Sequence, residues 1–319
     1  MILVSGEALI DMLPVERDGV RLFLPAPGGS PYNVAMALGR LDAPVRFLCP
    51  LSSDPFGRLL AQTLRDSRVD LSLCPPTDAL STLGFVTLDP LDRSARYAFY
   101  TEGTAGCLLS REQLPLPLVS EVACVHVGSF SIAVEPFGSA IERLVEGAQG
   151  GCVVSVDPNI RPFLIRDRAR YLARLERLLA VAHLVKLSRE DLEWLHPGAA
   201  PESAAADYLA RGARLFVVTQ GADGAEAWSQ GGHARVGAAR VTVADTVGAG
   251  DTFQAAMLAW LSRERLLQPA ALAGLDGNAL GEMLGRASRA AAITCSRAGC
   301  NPPWAHEFWD LPNPSFSGN

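Results

Sequence analysis

The sequence predicts an α/β fold: a mostly parallel sheet covered by helices on both faces, three layers (α/β/α) in all, with a small β-sheet lid. Three observations carry that prediction. Short apolar runs rich in β-branched residues recur along the chain, amphipathic helical patterns separate most of them, and two longer segments break the alternation with extended, turn-punctuated chain. Continuous apolar strands alternating with helices are strands buried on both faces, the habit of parallel sheets.

In order, the strand candidates are ILVS (2–5), VRFL (45–48), CVHV (124–127), CVVSV (152–156), HLVKL (183–187) and LFVVT (215–219). Helical patterns occupy 31–41, 56–67, 135–148, 168–182 and 202–212. Residues 8–27 and 81–101 read as extended chain, with turns at Asp18-Gly19 and at 90–92; the alternation in RYAFY supports strands. They are read either as a small antiparallel flap mounted on the main sheet or as ordinary edge strands. A single domain over 1–319, with the two lid segments inserted, is expected for this length.

Composition bounds the function. The chain has 319 residues, 49% hydrophobic, with net charge −6. That balance argues against a nucleic-acid partner, which would demand a basic face; a small anion can still bind to local backbone dipoles. The seven cysteines are scattered without a C-x-x-C pair, so they read as reduced core thiols of a cytoplasmic protein rather than a zinc site. MILVSGEALID has no basic leader, and no uncharged apolar run approaches membrane-spanning length. ILVSGEALIDM also lacks the G-x-G-x-x-G of a nicotinamide-dependent dehydrogenase.

Polar and glycine residues collect where the strands end: Gly6-Glu7, Gly128-Ser129, Asp157, Asn159, Ser188 and Gln220-Gly221. Open α/β sheets bind ligands at that edge, though each such residue also serves as a turn or a cap. The most informative stretch is ADTVGAGDTFQAAMLAWL (244–261). Gly248, Ala249 and Gly250 clear side chains from a helix start, where free N–H groups and partial positive charge favour an anion. Asp251 then stands in the first turn, either as a plain cap or as a carboxylate that orients an attacking hydroxyl, as phosphoryl transfer needs.

A second cluster, PAPGGSPYNVAMALGRL, has Gly28 and Gly29 for close backbone approach and Pro31 at a first helical position. Asn33 falls in the first turn, as a cap or as an amide offered to a polyol. With Asp11 it supplies the carboxylate and amide that vicinal hydroxyls require. Arg161 reads as a structural ion pair or as a contact to a sugar oxygen or anionic transition state. Lys186 either snorkels or reaches a phosphate or carboxylate at its strand end. His126 reads as a core histidine.

GGSPYNVAMALGRL and DTVGAGDTFQAAML resemble the two signature regions of the phosphofructokinase-B-type carbohydrate kinases of the ribokinase superfamily. GEALIDM, DPNIRP, VKLSRED, TQGADGA and AAAITCSRAGCNPP follow in the order of its bacterial fructokinase branch. The resemblance implies a ribokinase-like fold and an ATP-dependent sugar kinase, with D-fructose to fructose 6-phosphate as the expected reaction. Related branches act on 2-keto-3-deoxygluconate or on ribosides and nucleosides, and a non-catalytic sugar-binding member is the alternative of another class. It implies Asp251 as catalytic base and Gly248, Ala249 and Gly250 as anion hole. Asp11, Gly28, Gly29, Asn33 and Arg161 would hold the sugar, and Lys186, Ser188, Thr219, Gly221, Gly224 and Ser288 the nucleotide. Glu190 and Asp191 are the candidates for organising Mg2+ through water, and Asp245 for a monovalent cation such as K+. A homodimer through the lid is implied as well. Thr101 and Gly106 stand where fructokinases often carry arginine and aspartate, and Ser288 where relatives often carry asparagine near the adenine.

Overall fold

The structure, a computed structural model, describes residues 1–88, 95–148 and 150–310. The turn expected at 90–92 lies outside the described residues. In chain order the strands are β1 (Ile2–Ser5), β2 (Leu9–Arg17), β3 (Val20–Gly28), β4 (Val45–Leu48), β5 (Leu51–Ser52), β6 (Pro76–Thr77), β7 (Thr82–Leu88), β8 (Ala95–Tyr100), β9 (Cys124–Gly128), β10 (Val153–Asp157), β11 (Leu184–Ser188), β12 (Leu215–Thr219), β13 (Ala225–Ser229) and β14 (His233–Val236). The helices are α1 (Ser30–Arg40), α2 (Pro55–Asp66), α3 (Phe137–Ala148), α4 (Arg168–Leu179), α5 (Arg189–Leu195), α6 (Pro201–Ala210), α7 (Ala249–Arg263), α8 (Pro269–Ala273), α9 (Gly277–Cys295) and α10 (Ala305–Phe308).

The main sheet has the order β14-β13-β12-β11-β10-β9-β1-β4. From β4 to β12 the neighbours are parallel; β13 and β14 extend the sheet antiparallel. All six predicted strands are present, each buried along its apolar run. Helices α1, α2, α7 and α9 pack as one group and α3 and α4 as another, giving the three layers. From β1 the chain crosses to β4 on one side and later to β9 on the other, so the strand order switches direction at β1. The loops after β1, β9, β10, β11 and β12 open at the carboxyl edge beside that switch, where α/β sheets hold ligands.

The lid is a four-stranded sheet, β3-β2-β7-β8. Its turn at Asp18-Gly19 has both residues at positive φ, 53° and 76°, as a two-residue hairpin turn needs. The expectation of an antiparallel flap is corrected in one respect. β2–β3 and β7–β8 are antiparallel hairpins, but β2 and β7 join them in parallel, Asp11 opposite Gly84. The sheet is therefore mixed, because its two halves come from separate insertions that leave the body in the same direction.

Candidate active site

Helix α7 begins without a side-chain cap, at Gly248 in the left-handed conformation (φ 75°). A β-carbon at Gly248 would lie 2.2 Å from the Cys300 sulfur, so backbone strain and sterics both require glycine. Gly250 differs: the place of its missing β-carbon is open space. The first N–H groups of α7 thus face outward beside a chain cleared of side chains, with the positive end of the helix dipole behind them.

Ala249 and Gly250 border a cavity of about 540 Å3, whose walls include Thr219, Gly221, Gly224, Ser288 and Glu190. Four of the six residues expected at the nucleotide therefore share one cavity with the α7 tip. Ser288 also fastens its wall, accepting the Ala239 N–H at 3.0 Å. Phe253 and Ala292 add apolar surface suited to a flat ring.

The next residue turns the other way. Asp251 is 7% exposed and does not border that cavity. Its carboxylate accepts the Ser30 hydroxyl at 2.6 Å and the Asn33 amide at 2.8 Å, both from the start of α1, with the Asn159 amide at 3.5 Å. Burial holds its carboxyl above the ordinary range, and the nearby Asp157 adds to the shift. The amide oxygen of Asn33 is buried and has no partner among the described residues, an acceptor awaiting a hydroxyl.

Asp11, on β2 at the lid's root, lies against Gly28: its Oδ2 is 2.5 Å from where a β-carbon would sit. Desolvation raises its carboxyl to about 6, opposed by the positive charge of Arg161. Gly29 (φ 107°) starts α1, and a side chain there would strike the Glu7 carbonyl at 2.6 Å. The expected sugar residues thus gather between lid and body on the Asp251 carboxylate's side. Glu7, which the sequence placed at the strand edge without a role, stands beside them. It is buried and accepts the Ser30 and Ser131 N–H groups at 3.3 and 3.2 Å, with burial pushing its carboxyl to about 7.

Three of the residues named for the nucleotide or for Mg2+ stand apart from the cavity that Gly250 borders. Lys186 does not border it; its ammonium is buried and donates to the Asp157 carboxylate at 2.6 Å, a carboxylate at the strand end as one reading of the sequence had it. Ser188 is not on the cavity wall either. It caps α5, accepting the Asp191 N–H at 3.0 Å and donating its hydroxyl to Asp191 Oδ2 at 2.9 Å. Asp191 is 4% exposed, and its other oxygen accepts the Ile160 N–H at 2.7 Å. Both its oxygens are engaged inside the protein, whereas the exposed Glu190 faces the cavity. The sequence placed Asn159 only among the strand-end polar residues and gave Ser30 no place in the site; a hydroxyl beside Pro31 and an asparagine in DPN are the signals that were there.

Asp245 accepts the Val247 and Gly299 N–H groups at 3.0 and 2.9 Å, pinning the turn that leads into Gly248. Among the described residues no cluster of three or more His, Cys, Asp or Glu side chains is placed to hold a metal ion. No described helix is long and apolar enough to cross a membrane. Gly106 has its own reason to be glycine: a β-carbon would meet the Ala8 carbonyl at 2.5 Å and the Thr82 hydroxyl at 2.7 Å. Thr101 borders a second cavity of about 610 Å3, between lid and body, behind the stacked rings of Phe99 and Phe163.

Backbone donors that open on a cavity, followed at once by a buried carboxylate turned away from it toward Ser30, Asn33 and Asn159, form a site suited to group transfer between two bound molecules. The profile of the pfkB family carbohydrate kinases matches residues 1–307, and the chain belongs to that family. A fructokinase of Rhizobium leguminosarum bv. trifolii is 43% identical over 281 residues, 88% of this chain and 85% of the relative. The crystal structure of Xylella fastidiosa fructokinase with bound ATP superposes with a TM-score of 0.87 at 31% identity, covering 97% of this chain and 96% of that one. Fructokinase from Vibrio cholerae O395 in a fructose, ADP and calcium ion bound form has a TM-score of 0.80 at 27% identity, covering 94% of each chain. The fold is accordingly the ribokinase-like α/β/α fold with its β lid.

Proposed function

We propose that the chain transfers the γ-phosphoryl group of ATP to the primary hydroxyl of D-fructose, yielding fructose 6-phosphate. One observation carries the reading: Gly250 opens on the cavity while the adjacent Asp251 carboxylate turns away from it, to Ser30, Asn33 and Asn159. ATP lies along the cavity walled by Thr219, Gly221, Gly224 and Ser288, its terminal phosphate at the N–H groups of Gly250 and Asp251. Fructose lies under the lid, with hydroxyls on Asp11, the Asn33 amide oxygen and Arg161. Asp251 accepts the proton of the attacking hydroxyl, and the α7 dipole meets the charge that develops on the moving group. Lid closure keeps water from competing as acceptor.

Glu190 fits a role toward Mg2+, because its carboxylate borders the cavity with no hydrogen bond or ion pair among the described residues. A bound Mg2+ would supply neutralisation of the phosphate charge beside Glu190. Asp245 sits in the turn where K+ would act on the anion-binding N–H groups. The exposed apolar residues Leu22 and Leu24 of β3 suit a homodimer joined through the lids. An ATP-using enzyme with seven free thiols suits the cytoplasm.

The test is an acceptor panel read by ADP release: fructose, other hexoses, 2-keto-3-deoxygluconate and ribosides. Fructose is expected to give the highest kcat/KM by at least tenfold. Turnover of a riboside or of 2-keto-3-deoxygluconate above fructose overturns the acceptor, and sugar binding without turnover on any overturns the catalytic reading.

A further inference from the structure

The end of β10 and the loop that follows, residues 157–161, carry the Asn159 amide, 3.5 Å from Asp251, and Arg161, named above for the acceptor, whose guanidinium donates to the Asn159 and Ile160 carbonyls and whose charge acts on Asp11. The backbone there is unusual. Asn159 is held at φ 38°, a left-handed conformation that needs support from outside the residue. Two consecutive N–H groups supply it. That of Asn159 donates to Asp157 Oδ1 at 3.2 Å, and that of Ile160 donates to Asp191 Oδ1 at 2.7 Å. Asp157 is itself anchored, its other oxygen accepting the Lys186 ammonium. Asp191 is anchored too, its Oδ2 accepting both the N–H (3.1 Å) and the hydroxyl of Ser188.

Asp191 therefore links two loops. Its backbone and one oxygen close the capping box of α5, while the other oxygen reaches across to the acceptor loop. The chemistry of neighbouring Glu190 runs the opposite way, into the nucleotide cavity. We propose that Asp191 is a positioning residue for the acceptor: through the Ile160 N–H it fixes the 157–161 loop, and with it Asn159 and Arg161, leaving Mg2+ and nucleotide to Glu190. A carboxylate suits this task, since charge-assisted bonds to backbone N–H groups are short and strong, and at 4% exposure water does not compete. The inference rests on the kinase reading above.

The experiment uses the full-length protein and the variants Asp191→Asn, Asp191→Glu and Glu190→Gln. Acceptor KM, ATP KM and the Mg2+ midpoint are measured in parallel, with hydrogen–deuterium exchange of the peptide spanning 159–165. Both Asp191 variants are expected to raise acceptor KM about tenfold or more and to speed exchange in that peptide. ATP KM and the Mg2+ midpoint should stay within about twofold. Glu190→Gln should show the reverse pattern. Asp191 variants that move the Mg2+ midpoint at unchanged acceptor KM overturn the proposal, as do variants that shift both KM values alike, since that marks a merely structural role. Unchanged exchange also overturns it, and this readout needs no acceptor. An inactive wild type would instead strike the kinase reading.

Discussion

The Asp251 carboxylate accepts a hydrogen bond from the Asn33 side-chain amide at 2.8 Å, across 218 residues of chain. Each residue stands in the first turn of its helix, and the two helix starts face each other where lid and body meet. The bond settles the direction of both groups. Asp251 keeps its carboxylate off the cavity that Gly250 borders, and Asn33 is left with an oxygen that has no partner among the described residues. A hydroxyl placed there meets an acceptor for binding and an acceptor for its proton.

The two glycines of the α7 tip should separate by mutation. Gly248→Ala places a β-carbon against Cys300 in a left-handed backbone, which costs about 1–2 kcal/mol before the collision is counted. A Tm loss of several degrees is expected by calorimetry. Gly250→Ala meets no atom of the described residues within 4 Å. It should melt as wild type and lose ATP affinity or turnover about tenfold or more, because its methyl group projects where the phosphate belongs.

Asp11 makes a pH prediction. Its folded pKa of about 6 stands above the ordinary 3.8. The proton is therefore held to higher pH, and the ionised form, the one proposed to accept sugar hydroxyls, is lost on acidification through about 6. The acid limb of kcat/KM for the acceptor should fall there rather than near 4. The stability sign is opposite: this group's contribution is present below the unfolded pKa and is lost as pH rises through about 6. Asp11→Asn should raise Tm at pH 8, match wild type near pH 3, and raise acceptor KM throughout. A Tm loss at pH 8 contradicts this.

Glu190→Gln should raise the Mg2+ concentration needed for half-maximal activity about tenfold, with Tm unchanged because the side chain is exposed and unpaired among the described residues. Titrating Mg2+ at fixed ATP checks it.

Much of this was legible beforehand, for identifiable reasons. β1, β9 and β12 are buried on both faces, so unbroken apolar runs mark them. β13 and β14 escaped notice: AEAWS and HARV are short, alanine-bearing and partly polar, and only pairing at the sheet edge makes them strands. The parallel β2–β7 pairing was invisible because local pattern does not encode partner choice. Within the site, glycines and helix starts announce themselves, while Ser30 and Asn159 reach Asp251 across 221 and 92 residues. The partners of Lys186 and Asp191 stayed open for one reason: sequence shows a charged side chain at a strand end or helix start but not which way it points, and here each turns inward to a partner.

The lid makes its own prediction. Phe23 packs edge-on against Phe85, ring centroids 5.1 Å apart. Leu22 and Leu24 point from the opposite side of β3 and stand 45% and 55% exposed. The double variant Leu22→Asp, Leu24→Asp should sediment as a monomer where wild type sediments as a dimer. A monomeric wild type refutes lid-to-lid association.

The central claim, that Asp251 takes the acceptor's proton, is tested most directly by Asp251→Asn. Asparagine keeps the shape of the group and removes its basicity. Fructose phosphorylation should fall about 10²–10⁴-fold, while calorimetric ATP affinity and Tm stay near wild type. Turnover within a fewfold of wild type would contradict the account.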